Sequence, residues 1–475
     1  MMQALIFSPE IYYLLASLWF VARSIMPRST SRGNYFGALF LAAAGAAICL
    51  ITVKLEGSLF FNAYQVNLFS QIFKVLLSLG LFLVICLCPN LTAIKAQHHP
   101  EFYLLLFVCT LAMMMLVSSV HLLAIYVALE LSSYSLYILV ALRSDRGMGV
   151  EASIKYFLVG ISASALMLFG MALLYGTTRA AHLKDMVGVI PAVIDKPAVM
   201  IGLLLTFSGF FFKLAVFPFH FWAPDVYQGA ANQVTAYIAT ASKVAAIAIL
   251  IRMVASAGNG AAGNYLVHVL VTLSIVSMTV GNLAAIVQKD IKRLLAYSTI
   301  AHAGYVSIGI LSMSQAGYGG AIFYAVALLV MKYTVFLVVV KVADDDRNLQ
   351  ITQLAGLHRR SPLLALALMV AIFSLAGIPP TIGFTGKLFL FVAAMEQGYF
   401  TLVLIAMINV VISLYYYLLI LKAAYLVEPD EELPPLRLSP AVKVLAAVLS
   451  AAMVTVGIFP TYVLRLADAA FRALI

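Results

Sequence analysis

Charge is scarce in this chain: Asp, Glu, Lys and Arg together make up only 10% of it. That is too little to cover a water-exposed surface, which excludes a soluble globular domain. Cysteine is also scarce. The four residues, Cys49, Cys86, Cys88 and Cys109, fall in apolar runs, and Cys86 with Cys88 forms a C-x-C without further ligands, so neither a zinc site nor an iron–sulfur cluster is indicated. Phosphate-binding loops, nucleophile patterns and metal-ligand sets are missing, leaving a stand-alone enzyme as the least supported class. No basic segment precedes the first apolar run and no small-residue cleavage site follows it, so the first helix is expected to be retained.

Apolar residues are what the chain has in excess: 64% of it is hydrophobic, with a mean hydropathy of +1.05. Runs long enough to cross a bilayer as helix lie at 11–26, 35–53, 68–88, 102–117, 122–142, 153–175, 199–217, 234–254, 265–287, 294–311, 321–340, 363–394, 400–424 and 442–464. The expectation is an all-α polytopic membrane protein with about 14 transmembrane helices, each needing ~20 residues to span. Most loop Lys and Arg residues follow odd-numbered crossings, among them Arg23, Arg28, Arg32, Lys289, Lys292, Arg293, Arg359 and Arg360. Positive charge is retained in cytoplasmic loops, so both termini are expected on the other side, and a bacterial inner membrane fits best. The net charge of +10 is then mainly a topology signal, with some attraction to anionic lipid and none implied to nucleic acid.

Against this background Glu130, Lys213, Lys243 and Lys387 stand near the middle of apolar runs. A charge at that depth costs roughly 2.5–3.5 kcal/mol on insertion scales, which makes each one a candidate functional residue. Lys332 is a further central lysine, whereas Lys74 and Lys443 lie close enough to helix ends to snorkel. Two segments break the helical pattern beside lysines. In 212–225 (FKLAVFPFHFWAPD) two prolines follow Lys213, and in 376–387 (AGIPPTIGFTGK) Gly and Pro cluster within a run too long for one plain crossing. Lipid cannot satisfy the backbone groups freed at such breaks, so they must be buried in protein or line a wet cavity. Paired breaks in two halves of a chain also mark ion sites in transporters, with packing kinks as the alternative.

Desolvation disfavours the charged form of any lysine, bringing a group that is ordinarily always protonated within reach of proton exchange. A carboxylate nearby opposes that, so Glu130 moving toward or away from Lys213 would gate it; a static ion pair is the alternative. Lys243 lies on a face of small residues that admits neighbours and water. His220 and His302 could bridge gaps between lysines, whereas His121 and His268 lie at helix ends.

Three stretches, FKLAVFPFHFWAPDVYQ at 212–228, KDIKRLLAYSTIAHAGY at 289–305 and SLAGIPPTIGFTGK at 374–387, resemble the antiporter-like membrane subunits of respiratory complex I. Together with EASIKYFLVG from Glu151 and the ASK at Lys243, the resemblance spans about 102–425. The early SPEI at Ser8 and the lysine at 387 favour the subunit N group of NADH-quinone oxidoreductase. The resemblance implies two inverted five-helix repeats with broken helices 7 and 12. It divides the chain into an N-terminal three-helix segment at 1–100, repeats at 101–255 and 256–425, and a C-terminal loop and helix at 426–475. It also implies a proton relay through Glu130, Lys213, Lys243 and Lys387, with His220, His302 and Lys332 as second-tier members. Partners would be other antiporter-like and small hydrophobic membrane subunits, and lipids. NAD, FMN, iron–sulfur clusters and quinone would belong to those partners, with no cofactor or metal bound by this chain. A subunit of a multisubunit sodium/proton antiporter and a non-transporting scaffold remain the alternatives. The chain departs from the family pattern in having Gly229-Ala230-Ala231-Asn232 where Gly-Ala-Pro-Thr is usual, and Lys332 where a neutral residue is common.

Overall fold

A computed structural model of the chain describes residues 2–26, 30–144, 147–257, 261–343, 345–429 and 434–474; Arg28, one of the orienting loop charges, lies outside them. In chain order the helices are α1 (Met2–Ile6), α2 (Ser8–Ile25), α3 (Ser31–Ile51), α4 (Leu68–Cys86), α5 (His99–Ser118), α6 (Leu122–Ala141) and α7 (Met148–Thr178). Then come α8 (Leu183–Val193), α9 (Pro197–Thr206), α10 (Ser208–Leu214), α11 (Trp222–Gly229), α12 (Asn232–Ala239), α13 (Ala241–Ala257), α14 (Ala261–Ile286) and α15 (Ile291–Leu311). The last are α16 (Gln315–Val342), α17 (Leu357–Arg360), α18 (Pro362–Ala376), α19 (Ile382–Glu396), α20 (Phe400–Leu426), α21 (Pro440–Ile458) and α22 (Thr461–Arg472). An antiparallel hairpin, β1 (Gly57–Leu59) with β2 (Tyr64–Val66), joins α3 to α4.

Among the described residues, 12 helices are long and apolar enough to cross a membrane. The expected crossings beyond these are α2 and the broken pair α18/α19. The span of α12 and α13 is wholly buried and those of α15 and α16 nearly so, whereas α3 and α21 bury less than a third of theirs. The centre of the protein is therefore α12/α13, α15 and α16. Outer helices leave their remaining apolar faces bare, as lipid or further membrane subunits require.

The ends of the helices gather on two faces. One carries the hairpin, Val120, α8, the end of α13 and Leu474, which converge on a single cavity. Burial and the facing His182 ring hold the His121 imidazole at this edge below its ordinary range. The other face carries the basic connections. There Lys155 and Arg293 both reach Asp225, at 2.9 and 2.7 Å, and Arg143 Nη1 donates to the carbonyls of Gln228 (2.9 Å) and Ala230 (3.1 Å).

Four features differ from the sequence expectation. The hairpin and α8 occupy stretches read as plain loop. The eighth crossing is interrupted at Thr240 (φ −114°, ψ −87°), three residues before Lys243. The last crossing ends at Ile458, and Thr461–Arg472 forms a separate amphipathic helix, burying Ala467, Ala470 and Phe471. Charges at Arg465, Asp468 and Arg472 suit a helix packed at the edge rather than one crossing lipid. Lys74, finally, does not snorkel: it is fully buried in an ion pair with Glu10 at 2.7 Å, because α2 brings a carboxylate to it.

The two halves of the broken crossing meet closely at Gly383, whose N–H donates to Ser374 Oγ at 3.0 Å and where a methyl group would run into the Ser374 carbonyl. Overpacking of this kind costs about 1–3 kcal/mol. Gly383→Ala is therefore expected to lower the thermal unfolding midpoint of the solubilised protein. Gly188→Ala, in open space on α8, should leave it unchanged or raise it.

Candidate functional site

Both breaks are built alike. Helix α10 ends at Ala215 in the left-handed region (φ 64°), and α18 ends at Gly377 (φ 88°). In each case the following N–H bonds back five residues, Val216 to Phe211 O and Ile378 to Phe373 O, the usual closure of such an end. Cis peptide bonds follow at Phe217-Pro218 and Pro379-Pro380, each proline three positions beyond its left-handed residue.

Ending a helix this way releases carbonyls. Pro379 and Pro380 have no N–H, so Leu375 O and Ala376 O lose their helical donors. At the first break the Phe217 N–H is diverted to Ser277 Oγ (3.0 Å), which frees Lys213 O. A lysine fills each vacancy. Lys243 Nζ donates to Lys213 O at 2.8 Å, and Lys387 Nζ donates to Leu375 O at 2.9 Å and Ala376 O at 3.0 Å. Each ammonium thus sits at the negative end of a half-helix dipole, where a cation is stabilised. Aromatic faces complete both settings, with Lys243 4.7 Å from the Trp222 ring centroid and Lys387 4.9 Å from that of Tyr305.

The other expected residues are distributed unevenly around these two. Glu130 on α6 accepts a hydrogen bond from Ser164 Oγ of α7, and Lys213 donates to Ser133 Oγ at 2.9 Å, one turn further along α6. No ion pair joins Glu130 to Lys213 among the described residues; Glu130 lies on α6 and Lys213 on α10, each held by a different serine. Lys332 donates to Leu295 O (3.1 Å) and Ser298 Oγ (2.6 Å) of α15. From Ser298 the bonds continue to Tyr417 OH (2.6 Å), to His302 Nε2 (3.1 Å) and, through Nδ1, to Tyr324 OH (2.7 Å). Lys243, His302 and Lys332 all line one cavity of about 10 Å³, closed by Leu214, Ala239, Thr299 and others. That is the least room a water needs, and the surface facing it is mostly apolar although Lys243, His302 and Lys332 all border it.

His220 is set apart from this chain. Its ring lies between Phe217 and Phe221 in the first break, at 5.5 and 4.2 Å, and it makes no hydrogen bond to any of the lysines. The altered turn at 229–232 keeps an extended course, with Ala231 at φ −56°, inside the range proline would adopt. Its Ala230 carbonyl is held by Lys292 at 2.8 Å and the Asn232 N–H by Asp346 at 2.8 Å.

Sequence reasoning picked out the charges and missed the hydroxyls. Ser133 lies three residues after Glu130, and Ser298 four before His302, each on the same helical face; that spacing was the available signal. Tyr324 and Tyr417 come from other helices, and no local pattern marks them. The arrangement offers donors and acceptors in alternation at membrane depth, with one water-sized gap between Lys243 and the His302/Lys332 group. Proton transfer is the chemistry such a chain supports.

Residues 118–413 match the family model described as NADH:quinone oxidoreductase/Mrp antiporter, TM. Subunit N 2 of NADH-quinone oxidoreductase from Syntrophobacter fumaroxidans is 65% identical over 469 residues, 99% of either chain. A chain of respiratory complex I from Thermus thermophilus has a TM-score of 0.83 at 33% identity, covering 97% of this chain and 99% of that one. A chain of the Mrp complex from Dietzia sp. has a TM-score of 0.86 at 22% identity, covering 99% and 96%, and is similar in fold.

Tyr417 joins Ser298 to His302, so Tyr417→Phe leaves each with one bond fewer, Ser298 keeping Lys332 and His302 keeping Tyr324. Each buried donor or acceptor left unsatisfied costs about 1–3 kcal/mol. The variant should unfold at a lower temperature than the parent, and Tyr415→Phe, at an exposed position on the same helix, should not.

Proposed function

Since this chain belongs to the NADH:quinone oxidoreductase/Mrp antiporter membrane-subunit family, and within it to subunit N of NADH-quinone oxidoreductase, we propose that its buried lysines form the relay by which it moves protons. It is a proton-translocating membrane subunit of an enzyme complex whose other members include membrane subunits. In the relay Glu130 gates Lys213, Lys243 passes the proton across the water-sized cavity to His302 and Lys332, and Lys387 exchanges at the far end. Ser298, Tyr417 and Tyr324 extend the hydrogen-bonded route beside His302.

The observation that carries this reading is the cavity shared by Lys243, His302 and Lys332, continuous with the bonds from Lys332 through Ser298 and Tyr417 to His302. The separation of Glu130 from Lys213 supports gating, since a switchable pair needs a state in which it is apart. Moving one charge through 100 mV costs about 2.3 kcal/mol, so the drive comes from redox chemistry in other subunits, transmitted as a change of charge or shape at an interface. Nicotinamide, flavin, iron–sulfur and quinone chemistry are assigned to those subunits. The basic face is assigned to the cytoplasm of a bacterial inner membrane, and both termini to the opposite side. Lipids fill the remaining apolar surface.

The Mrp-like fold is shared with a cation/proton antiporter subunit, but the 65% identity to a complex I subunit favours redox drive. The test is proton translocation by reconstituted complex. Lys213→Ala, Lys243→Met and Glu130→Gln, once assembled, should each lower the protons moved per electron severalfold. A wild-type ratio in all three would leave the subunit a scaffold.

A further inference from the structure

On the hairpin face, apart from the relay, lies a cavity of about 730 Å³. It sits where membrane spans end: Val120, between the spans Ala96–Ser118 and Leu122–Ala141, borders it, and so does Ser256, the last residue of the span Asn232–Ser256. That is the level of lipid headgroups, and the volume is that of an ordinary ligand pocket. Positive charge prevails among its lining residues, with Arg252 and Lys184 against one carboxylate, Asp185.

Arg252, in α13, is the group that calls for a ligand. It is 2% exposed, and among the described residues no carboxylate pairs with it. Its Nη2 donates to Val117 O at 2.8 Å and its guanidinium lies 5.4 Å from the Phe69 ring centroid, whereas Nε is buried without a partner. A guanidinium has five N–H donors, and the Val117 carbonyl accounts for one of them. Burying such a charge without a counter-charge is strongly unfavourable, and an anion in the adjoining cavity offsets it.

Helix α8 begins at the same wall. Its first residues, Leu183, Lys184 and Asp185, border the cavity, and its N-cap His182 makes no side-chain cap. The Leu183 N–H goes to Val120 O at 2.9 Å and that of Met186 to His182 O at 3.0 Å, which leaves the N–H groups of Lys184 and Asp185 without an acceptor among the described residues. Free N–H groups at the positive end of a helix dipole bind anions, phosphate above all. The exposed Asp185 is the opposing charge, and among the described residues it pairs with neither Arg252 nor Lys184.

We infer that this cavity binds a phosphate group, held by the Arg252 guanidinium, the Lys184 ammonium and the N-terminus of α8. Arginine suits that ligand because its planar fork can hold two oxygens at once. Phe61, Val120, Val187 and Leu474 give the cavity an apolar wall that an inorganic ion alone leaves uncovered, and which the glycerol and first acyl carbons of a phospholipid would cover. Occupancy neutralises Arg252 and ties α8 to the end of α13. Binding there requires nothing of the relay.

The thermal midpoint of the solubilised full chain tests the site, because a ligand that binds only the folded state raises it saturably. Dihexanoylphosphatidylglycerol and inorganic phosphate are the probes, and dihexanoylglycerol, which lacks the phosphate, is the control. The parent is expected to gain stability with the phosphatidylglycerol and not with the control. Lys184→Glu and Ser58→Glu, at exposed positions on two walls, should each raise the half-saturating concentration about tenfold or more, while Lys196→Glu, outside the cavity, should not. Arg252→Met should abolish the gain; should it not fold, the two surface variants carry the test. A gain from the lipid alone supports the site with a headgroup as its ligand, and a gain from inorganic phosphate that the same variants weaken supports it with free phosphate. No saturable gain from either probe, an equal gain from dihexanoylglycerol, or a gain that both surface variants leave unchanged overturns the site and leaves the cavity to a neighbouring subunit.

Discussion

The structure depends on how carbonyl groups are satisfied where helices stop inside the membrane. Lipid offers no donors, so each carbonyl released by a proline or a left-handed residue must find one within the protein. Lysine meets that need at both breaks. The carbonyl of the residue two positions before the left-handed residue, Lys213 in one break and Leu375 in the other, is held by an ammonium group, from Lys243 and Lys387 respectively. The same contact stabilises the break and places a titratable group at membrane depth.

This dual role explains why the charged centre is also the most buried part of the molecule. The crossing formed by α12 and α13 is entirely enclosed, with small residues such as Ala239, Ala241, Ala245 and Ala246 letting neighbours close on Lys243. Close packing leaves space for about one water between Lys243 and His302, and in the proposed relay that small gap is the point of control. A wider channel would conduct freely and would dissipate the gradient the complex builds. Outer helices, by contrast, keep wide apolar faces and carry few of these groups.

The charge pair at Glu10 and Lys74 follows a different plan. Its ammonium meets a carboxylate directly instead of a helix terminus, and a tyrosine from the hairpin covers it. The lysines proposed for the relay are held by neutral carbonyls and hydroxyls, so a change of charge there leaves no counter-ion behind.

The helical membrane architecture and the location of the two breaks were legible from apolar run length and proline placement, because bilayer thickness and the missing N–H act locally. The cost of burying charge likewise singled out Glu130, Lys213, Lys243 and Lys387. The kink at Thr240, the hairpin and the edge helix Thr461–Arg472 were not legible, since each answers to neighbours distant in sequence. Lys74 shows the limit most clearly. Its position near a run's end suggested snorkelling, and only the packing of α2 against it supplied Glu10. Depth and helix ends are properties of one segment, so sequence determined them; which carbonyl, hydroxyl or carboxylate meets each lysine is a property of several segments at once, and tertiary structure alone decided it.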